Sequence, residues 1–326
     1  MEQNLSSLNI TRENYERLNS LGFINVNEIK DTETVKQWPE LTFVPTTKTA
    51  LDVYCENSES GRLYTFNKEL DELLEDELIP GNIIEICGEP GTGKTQVCFL
   101  LSINVQLPKW VGGKEGGALY LCTNYNFSTE RLKELSRNML RSLAAMQISK
   151  ERRSSLNSFS IDTILKNIHH IQINTFDEFI ATVVYLQKWL KCNKVCLLVI
   201  DCITPIIQQL DYTEKRHFIY NFFGKIQKLA TEYGFVVIIT NNITLRAKSI
   251  DNAYKTPALG EAYFHRINSR ILLERPSGRY FKATMEKSKA VDNIIHKSSP
   301  LCIPSRFRND TYQVNMLPLV RSDSSL

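Results

Sequence analysis

The residues of this sequence best placed to do chemistry are Gly88-Glu89-Pro90-Gly91-Thr92-Gly93-Lys94-Thr95, which match G-x-x-x-x-G-K-[ST] in full. Glycines 88, 91 and 93 allow the backbone to turn so that successive N–H groups face one anion, and a helix starting at Lys94 adds its partial positive charge. The Lys94 ammonium would neutralise the β and γ phosphates of a nucleoside triphosphate, and the Thr95 hydroxyl would ligate Mg²⁺. Gln96 completes the contact set, and Lys94 is the candidate catalytic cation. A chance match in a glycine-rich turn is the competing reading; the strand-like NIIEIC before the loop and the helix-forming run after it argue against that.

Such a site needs an acidic group on the metal side, ending a buried strand. CLLVID is the apolar run that finishes in this way, so Asp201 is the second candidate metal residue, acting through water. The alternative is an aspartate that caps a helix or turn.

The elements that would position these residues follow from periodicity. After Leu63, apolar runs (NIIEICG, ALYLCT, IHHIQI, CLLVID, FVVIIT, RILLER) alternate with helical patterns at Lys94 to Val105, Thr129 to Leu143, Asp177 to Leu190 and Thr213 to Tyr233. Continuously apolar strands between helices predict a mostly parallel sheet covered on both faces. Tyr280 to Lys287 and Thr311 to Met316 alternate and read as antiparallel edge strands. Residues 5–44 read as short helices, with Thr11 as a cap, Gly22 as a stop and an Asn25/Glu28 capping pattern. The stretch 46–61 loses periodicity and reads as a linker. The expected organisation is therefore a small helical module with linker over 1–60 and a phosphate-binding core over 61–326.

Bulk composition is permissive. With 326 residues and 42% hydrophobic content the chain can bury a large core, and 39 basic against 36 acidic residues leave only +3, so contact with a polyanion must use local patches. The eight cysteines, several inside apolar runs, indicate a reduced compartment. Cys192 and Cys196 lack the second pair or histidines that a zinc site requires. The amino-terminal residues do not read as a signal peptide, and no apolar stretch approaches the roughly 18 residues of a membrane helix.

Segments TFNKELDELLEDELIPGNIIEICGEPGTGKTQVCFLLSINVQLP, GGKEGGALYL, NFSTERL, CLLVIDCITP, VVIITNNIT and PALGEAYFHRINSRILLER together resemble the RecA/RadA family of recombinases in its eukaryotic branch. PALGEAYFHRINSRI and SIDTILKNIHHIQINTFDEF look most like the C-type paralogue, and NITRENYERLNSLGFINVNEI is similar to the family's small helical module. The resemblance implies an α/β fold, a RecA-like P-loop NTPase core with a mostly parallel twisted sheet flanked by helices. It also implies ATP and Mg²⁺ at a subunit interface, and single-stranded or branched DNA held by loops after Asp201 and Asn241. Partners would be other recombinase paralogues in a hetero-oligomer, in the nucleus, serving homologous recombination, double-strand break repair and meiosis. By position Arg131 would lie against adenine, unless it is a solvated helix arginine.

Two departures matter. Where the family carries an acidic pair whose glutamate positions the attacking water, this chain has Cys122 and Asn124, so Asn124 occupies a catalytic position without a base. Asn242 replaces a glutamine that can sense the γ-phosphate. The expectation is an ATP-holding subunit with slow or absent hydrolysis. Arg246, Lys248, Tyr254 and Lys255 coincide with the family's second DNA loop and suit phosphate contact and base stacking, or are simply solvated. His265, Arg266 and Arg270 lie where family members contact a neighbour's nucleotide; His169 and His170 read as packing residues. Lys150, Arg152 and Arg153 read as an exposed helix end or a nuclear-import signal. Phe66 is either an anchor for strand addition to a neighbour or a residue of its own core. A nucleotide-stapled scaffold and a P-loop small-molecule kinase are the alternative functions; the kinase lacks an arginine-rich lid here.

Overall fold

The computed structural model describes residue 16 and residues 47–74, 77–146, 149–156, 159–247, 253–277, 280–288 and 298–301. The chain divides into two units, Met1–Glu56 and Asn57–Leu326. Of the helical reading over 5–44 only Glu16 is described, in a helix, and the strand reading at 311–316 lies outside the described residues.

Strand residues alternate between two apolar clusters, which explains why the strand sequences read as unbroken apolar runs. In β1 (Ile83–Gly88) Ile84 and Ile86 join one cluster while Ile83 joins the other. In β2 (Gly117–Cys122) Ala118, Tyr120 and Cys122 face the first, and Leu119 and Leu121 the second. The first cluster is closed by α2 (Lys68–Leu74), α3 (Lys94–Asn104), α4 (Thr129–Ala145) and α6 (Ile161–Lys166). The second is closed by α7 (Phe176–Leu190), α8 (Thr204–Gln208), α9 (Tyr212–Tyr233) and α10 (Gly260–Phe264). Every inward side chain thus loses water on one face or the other, the condition under which parallel sheets occur.

Among the described residues the sheet has nine strands in the order β3-β2-β4-β5-β1-β7-β8-β9, with β6 paired to β5 alone. β3 (Ile168–Gln172), β4 (Val195–Asp201) and β5 (Val236–Ala247) run parallel with β1 and β2, as does β7 (Ser269–Ser277) with β1. β8 (Tyr280–Lys287) is antiparallel, as its alternation implies, and pairs in turn with β9 (Ser298–Leu301).

Local chemistry sets the helix ends. Ser128 accepts from the Arg131 N–H at the start of α4, and reciprocal capping boxes open α7 (Thr175/Glu178) and α9 (Asp211/Glu214). Gly234 closes α9 at φ 71. These starts agree with the periodicity to within a residue.

The stretch 46–61, read as a linker, contains the boundary between the two units, and within it Ala50–Ser60 is a helix, α1. Its start is fixed by a reciprocal cap in which Thr49 donates to Asp52 and the Asp52 N–H donates back to the Thr49 hydroxyl. Leu51 and Tyr54 are exposed on α1, so no apolar stripe marks the helix in the sequence. A strand added through this stretch would first have to unwind it. Periodicity also missed α2, α5 (Lys150–Leu156), α6 and β6 (Ala253–Pro257), all of seven residues or fewer.

Candidate functional site

The phosphate-loop sequence joins β1 to α3 as expected. Gly88 is the last residue of β1, Gly93 is the N-cap of α3 at φ 96, and Gly91 turns at φ 82. Gly88 cannot carry a side chain: a Cβ there would stand 2.5 Å from the Leu273 carbonyl and 2.6 Å from the Thr92 hydroxyl. Nothing lies within 4 Å of a Cβ at Gly91, so the loop tip, with exposed Glu89 and Pro90, opens outward. The Thr92 hydroxyl and N–H both donate to the Glu89 carbonyl, at 2.8 and 3.3 Å, which closes the turn.

Lys94 reaches back over this turn. Its Nζ donates to the carbonyls of Gly88 (2.7 Å) and Glu89 (2.9 Å), and burial pulls its pKa below the ordinary lysine value while neighbouring anionic groups pull it up. A desolvated cation held at a helix start by two loop carbonyls is fixed in position rather than mobile in solvent.

Asp201 ends β4, 1% exposed, and three hydroxyls donate to it: Tyr120 and Thr95 to Oδ2 at 2.7 and 2.8 Å, Thr240 to Oδ1 at 2.6 Å. The Thr95–Asp201 contact joins the two residues the sequence assigned to the metal, 106 positions apart. Asp201 is therefore no turn or helix cap. Tyr120 and Thr240 were missed by sequence reasoning; their signal is a polar atom inside an apolar strand, which needs a buried partner. Burial raises the Tyr120 phenol well above its ordinary value, with the neighbouring Asp201 charge adding to the effect, so it stays a donor. Thr123 bonds to both the carbonyl (2.6 Å) and the N–H (3.1 Å) of Cys202, tying the end of β2 to the cis Asp201–Cys202 peptide.

Asn124 lies just past β2, and its Oδ1 accepts from the Asn126 N–H at 3.2 Å and the Cys122 thiol at 3.4 Å. Its amide oxygen is held by its own turn, and an amide has no basic lone pair to offer a water. Gln96 and Arg131 are brought together: Arg131 Nε donates to Gln96 Oε1 at 2.7 Å while its guanidinium pairs with Glu134 at 2.5 Å. Arg131 is thus positioned beside the first turn of α3.

The residues assigned to DNA lie on a hairpin that continues β5 beyond the sheet. Arg246 is opposite Tyr254 and Leu245 opposite Lys255 in the β5–β6 register. Lys248 lies outside the described residues. Lys255 points to the phosphate loop, where its Nζ is 2.5 Å from Glu89 Oε1.

Arg270 is corrected. It is a buried residue of β7, and its Nε donates to the fully buried Glu85 of β1, which accepts a second bond from Asn241 at 2.6 Å. Asn241 in turn accepts from Thr204 at 2.7 Å. A guanidinium engaged in this way serves the core, not a neighbour's nucleotide. Arg266 stacks over Tyr220 at 4.1 Å, and His265 is exposed. Of the two readings of Phe66, core packing holds: it lies against the first apolar cluster. His170 stacks on Phe127 at 4.1 Å and His169 packs edge-on to Trp189 at 4.9 Å, as packing residues do. The Asn242 side chain donates to the Cys202 sulfur at 3.8 Å. Arg152 covers Trp110 at 5.4 Å on the exposed α5.

A mostly parallel sheet with helices on both faces, a glycine loop between its central strand and a helix, and a Thr–Asp pair joining that helix's first turn to the end of β4 define the RecA-like α/β core. The Rad51 family model matches residues 57–294, and the chain belongs to the Rad51 family. It is 30% identical over 246 residues to DNA repair protein RAD51 homolog 3 of Cricetulus griseus, covering 74% of this chain and 67% of that protein. It is 26% identical over 230 residues to the protein of that name from Dictyostelium discoideum, spanning 60% of that relative's length. It is 28% identical over 239 residues to DNA repair and recombination protein RadA of Aeropyrum pernix, with 71% and 68% covered. Among the described residues no helix is long and apolar enough to cross a membrane.

Proposed function

We propose that this chain holds ATP with Mg²⁺ at the Gly88–Thr95 loop, turns it over slowly or not at all, and acts in DNA repair as a recombination paralogue. The observation that carries this reading is the meeting of Lys94, Thr95 and Asp201 at the start of α3 while an amide, Asn124, stands where an acid would activate water. The main-chain amides from Gly91 to Thr95 and the Lys94 ammonium would hold the β and γ phosphates, Thr95 and Asp201 the Mg²⁺, and Gln96 with Arg131 the adenine side. When bound, Mg²⁺ supplies charge neutralisation on the phosphate oxygens. Without a carboxylate at 124 the general-base contribution, commonly about 10²- to 10⁴-fold, is missing.

The repair role is supported by the names of the relatives, and assistance to homologous recombination and to meiosis is part of the same reading. The chain works with other recombinase paralogues in a hetero-oligomer in the nucleus, on single-stranded or branched DNA. The DNA reading draws on the β5–β6 hairpin, which carries Arg246, Tyr254 and Lys255 beside the phosphate loop. ATP turnover measured with and without single-stranded DNA tests it. Tight ATP binding with little turnover is expected, and DNA-stimulated turnover at the rate of a strand-exchange recombinase would contradict it.

A second reading, a scaffold in which the nucleotide is a permanent staple, is favoured by the engagement of the Asn124 amide oxygen within its own turn. It predicts that bound nucleotide survives prolonged dialysis unhydrolysed and unexchanged.

A further inference from the structure

Glu89 poses an electrostatic problem for the site just described. It places a carboxylate on a loop whose amides are meant to receive a triphosphate, and like charges at such range oppose one another. The geometry supplies an answer. β5 runs beside β1 to the loop itself, with Cys87 opposite Asn241 and Gly88 opposite Asn242. β5 then continues into the hairpin with β6, where Ile243 faces Pro257 and Leu245 faces Lys255. The hairpin base is anchored by the Ala258 N–H on the Asn242 carbonyl at 2.9 Å. From there Lys255 Nζ lies 2.5 Å from Glu89 Oε1, both side chains being more than half exposed (64% and 53%).

Glu89 is also the residue whose carbonyl receives Lys94 Nζ and the Thr92 hydroxyl. One residue thus links the hairpin to the loop's own cation. We propose that Lys255 is a positioning residue of the nucleotide site: it neutralises Glu89 and holds that carboxylate to the hairpin side, away from the incoming phosphates. This assigns Lys255 to the phosphate loop, where sequence position had assigned it to DNA. The inference rests on the nucleotide reading above.

The pair is exposed, so the effect is modest and salt-dependent. The test is calorimetry of ATP and of ADP, each with Mg²⁺, into the full chain with its co-purified partners and without DNA. Lys255→Met is expected to weaken ATP binding about threefold to fivefold and ADP binding less, because ADP carries less charge. Lys255→Arg keeps wild-type affinity. In a Glu89→Gln background the same Lys255→Met change has an effect below about twofold, since the carboxylate it acts through is gone. Unchanged ATP affinity in Lys255→Met beside a wild type that binds, or an equal loss in both backgrounds, overturns the proposal; the first outcome leaves the lysine to DNA alone. A wild type with no ATP affinity overturns the nucleotide reading and this inference with it.

Discussion

On the proposed reading, one functional group at residue 124 separates a slow site from a fast one. Asn124 Oδ1 accepts from the Asn126 N–H, and a carboxylate could keep that bond while presenting a second oxygen as a base. Asn124→Glu adds one methylene as well as the charge, and is expected to raise ATP turnover at least about tenfold, measured by phosphate release under saturating ATP. No gain in a variant that still binds ATP would mean that hydrolysis is limited elsewhere. Lys94, Thr95 and Asp201 were legible because the motif has fixed spacing and the strand before Asp201 is apolar to its last residue. Tyr120 and Thr240 were not, because a hydroxyl inside an apolar run can equally face a backbone carbonyl. Arg270 misled for a related reason: sequence position gives no sign that Glu85, 185 residues earlier, is its partner.

Packing between elements constrains the loop as strongly as its own turns do. β7 runs so close beside the end of β1 that Gly88→Ala would push a methyl onto the Leu273 carbonyl, 2.5 Å away. Backbone cannot yield as a side-chain end can, so a loss of about 1–3 kcal/mol is expected from urea unfolding, together with weaker ATP binding. Gly91→Ala has open space around it and suffers only from its positive φ, with a smaller expected loss of about 1 kcal/mol. Long helices were legible from their caps and apolar stripes, as at Asp211 and Thr175. Short ones were not: α1 exposes its apolar residues, and α2, α5 and α6 span two turns or fewer, too little for a period to register.

A buried polar chain, Arg270–Glu85–Asn241–Thr204, joins β7, β1, β5 and α8. Burial pushes the Glu85 carboxyl up, while the Arg270 charge and the Asn241 bond draw it down. Arg270→Met would strand a buried carboxylate and is expected to cost about 3–5 kcal/mol in urea unfolding, part of it recovered in Glu85→Gln/Arg270→Met. A second, half-buried carboxyl, Asp71, makes a contribution to stability that shrinks as pH rises through the acid range. Burial raises Asp71 from 3.8 to about 6, against the bonds it accepts from the Thr65 hydroxyl and N–H. The folded chain therefore holds this proton more tightly than the unfolded one, so the contribution of Asp71 to stability is fully present below about pH 4 and is lost as pH rises through about 6. Asp71→Asn keeps the accepting oxygen and should remove this decline, a difference of about 3 kcal/mol by pH 7 in paired denaturation curves. The most direct test of the account is calorimetric titration of ATP with Mg²⁺ into the full chain and its Lys94→Ala variant. Saturable binding by the wild type, weakened about tenfold to a hundredfold in the variant, is the expected result; no heat of binding from a folded, partner-complexed wild type would contradict it.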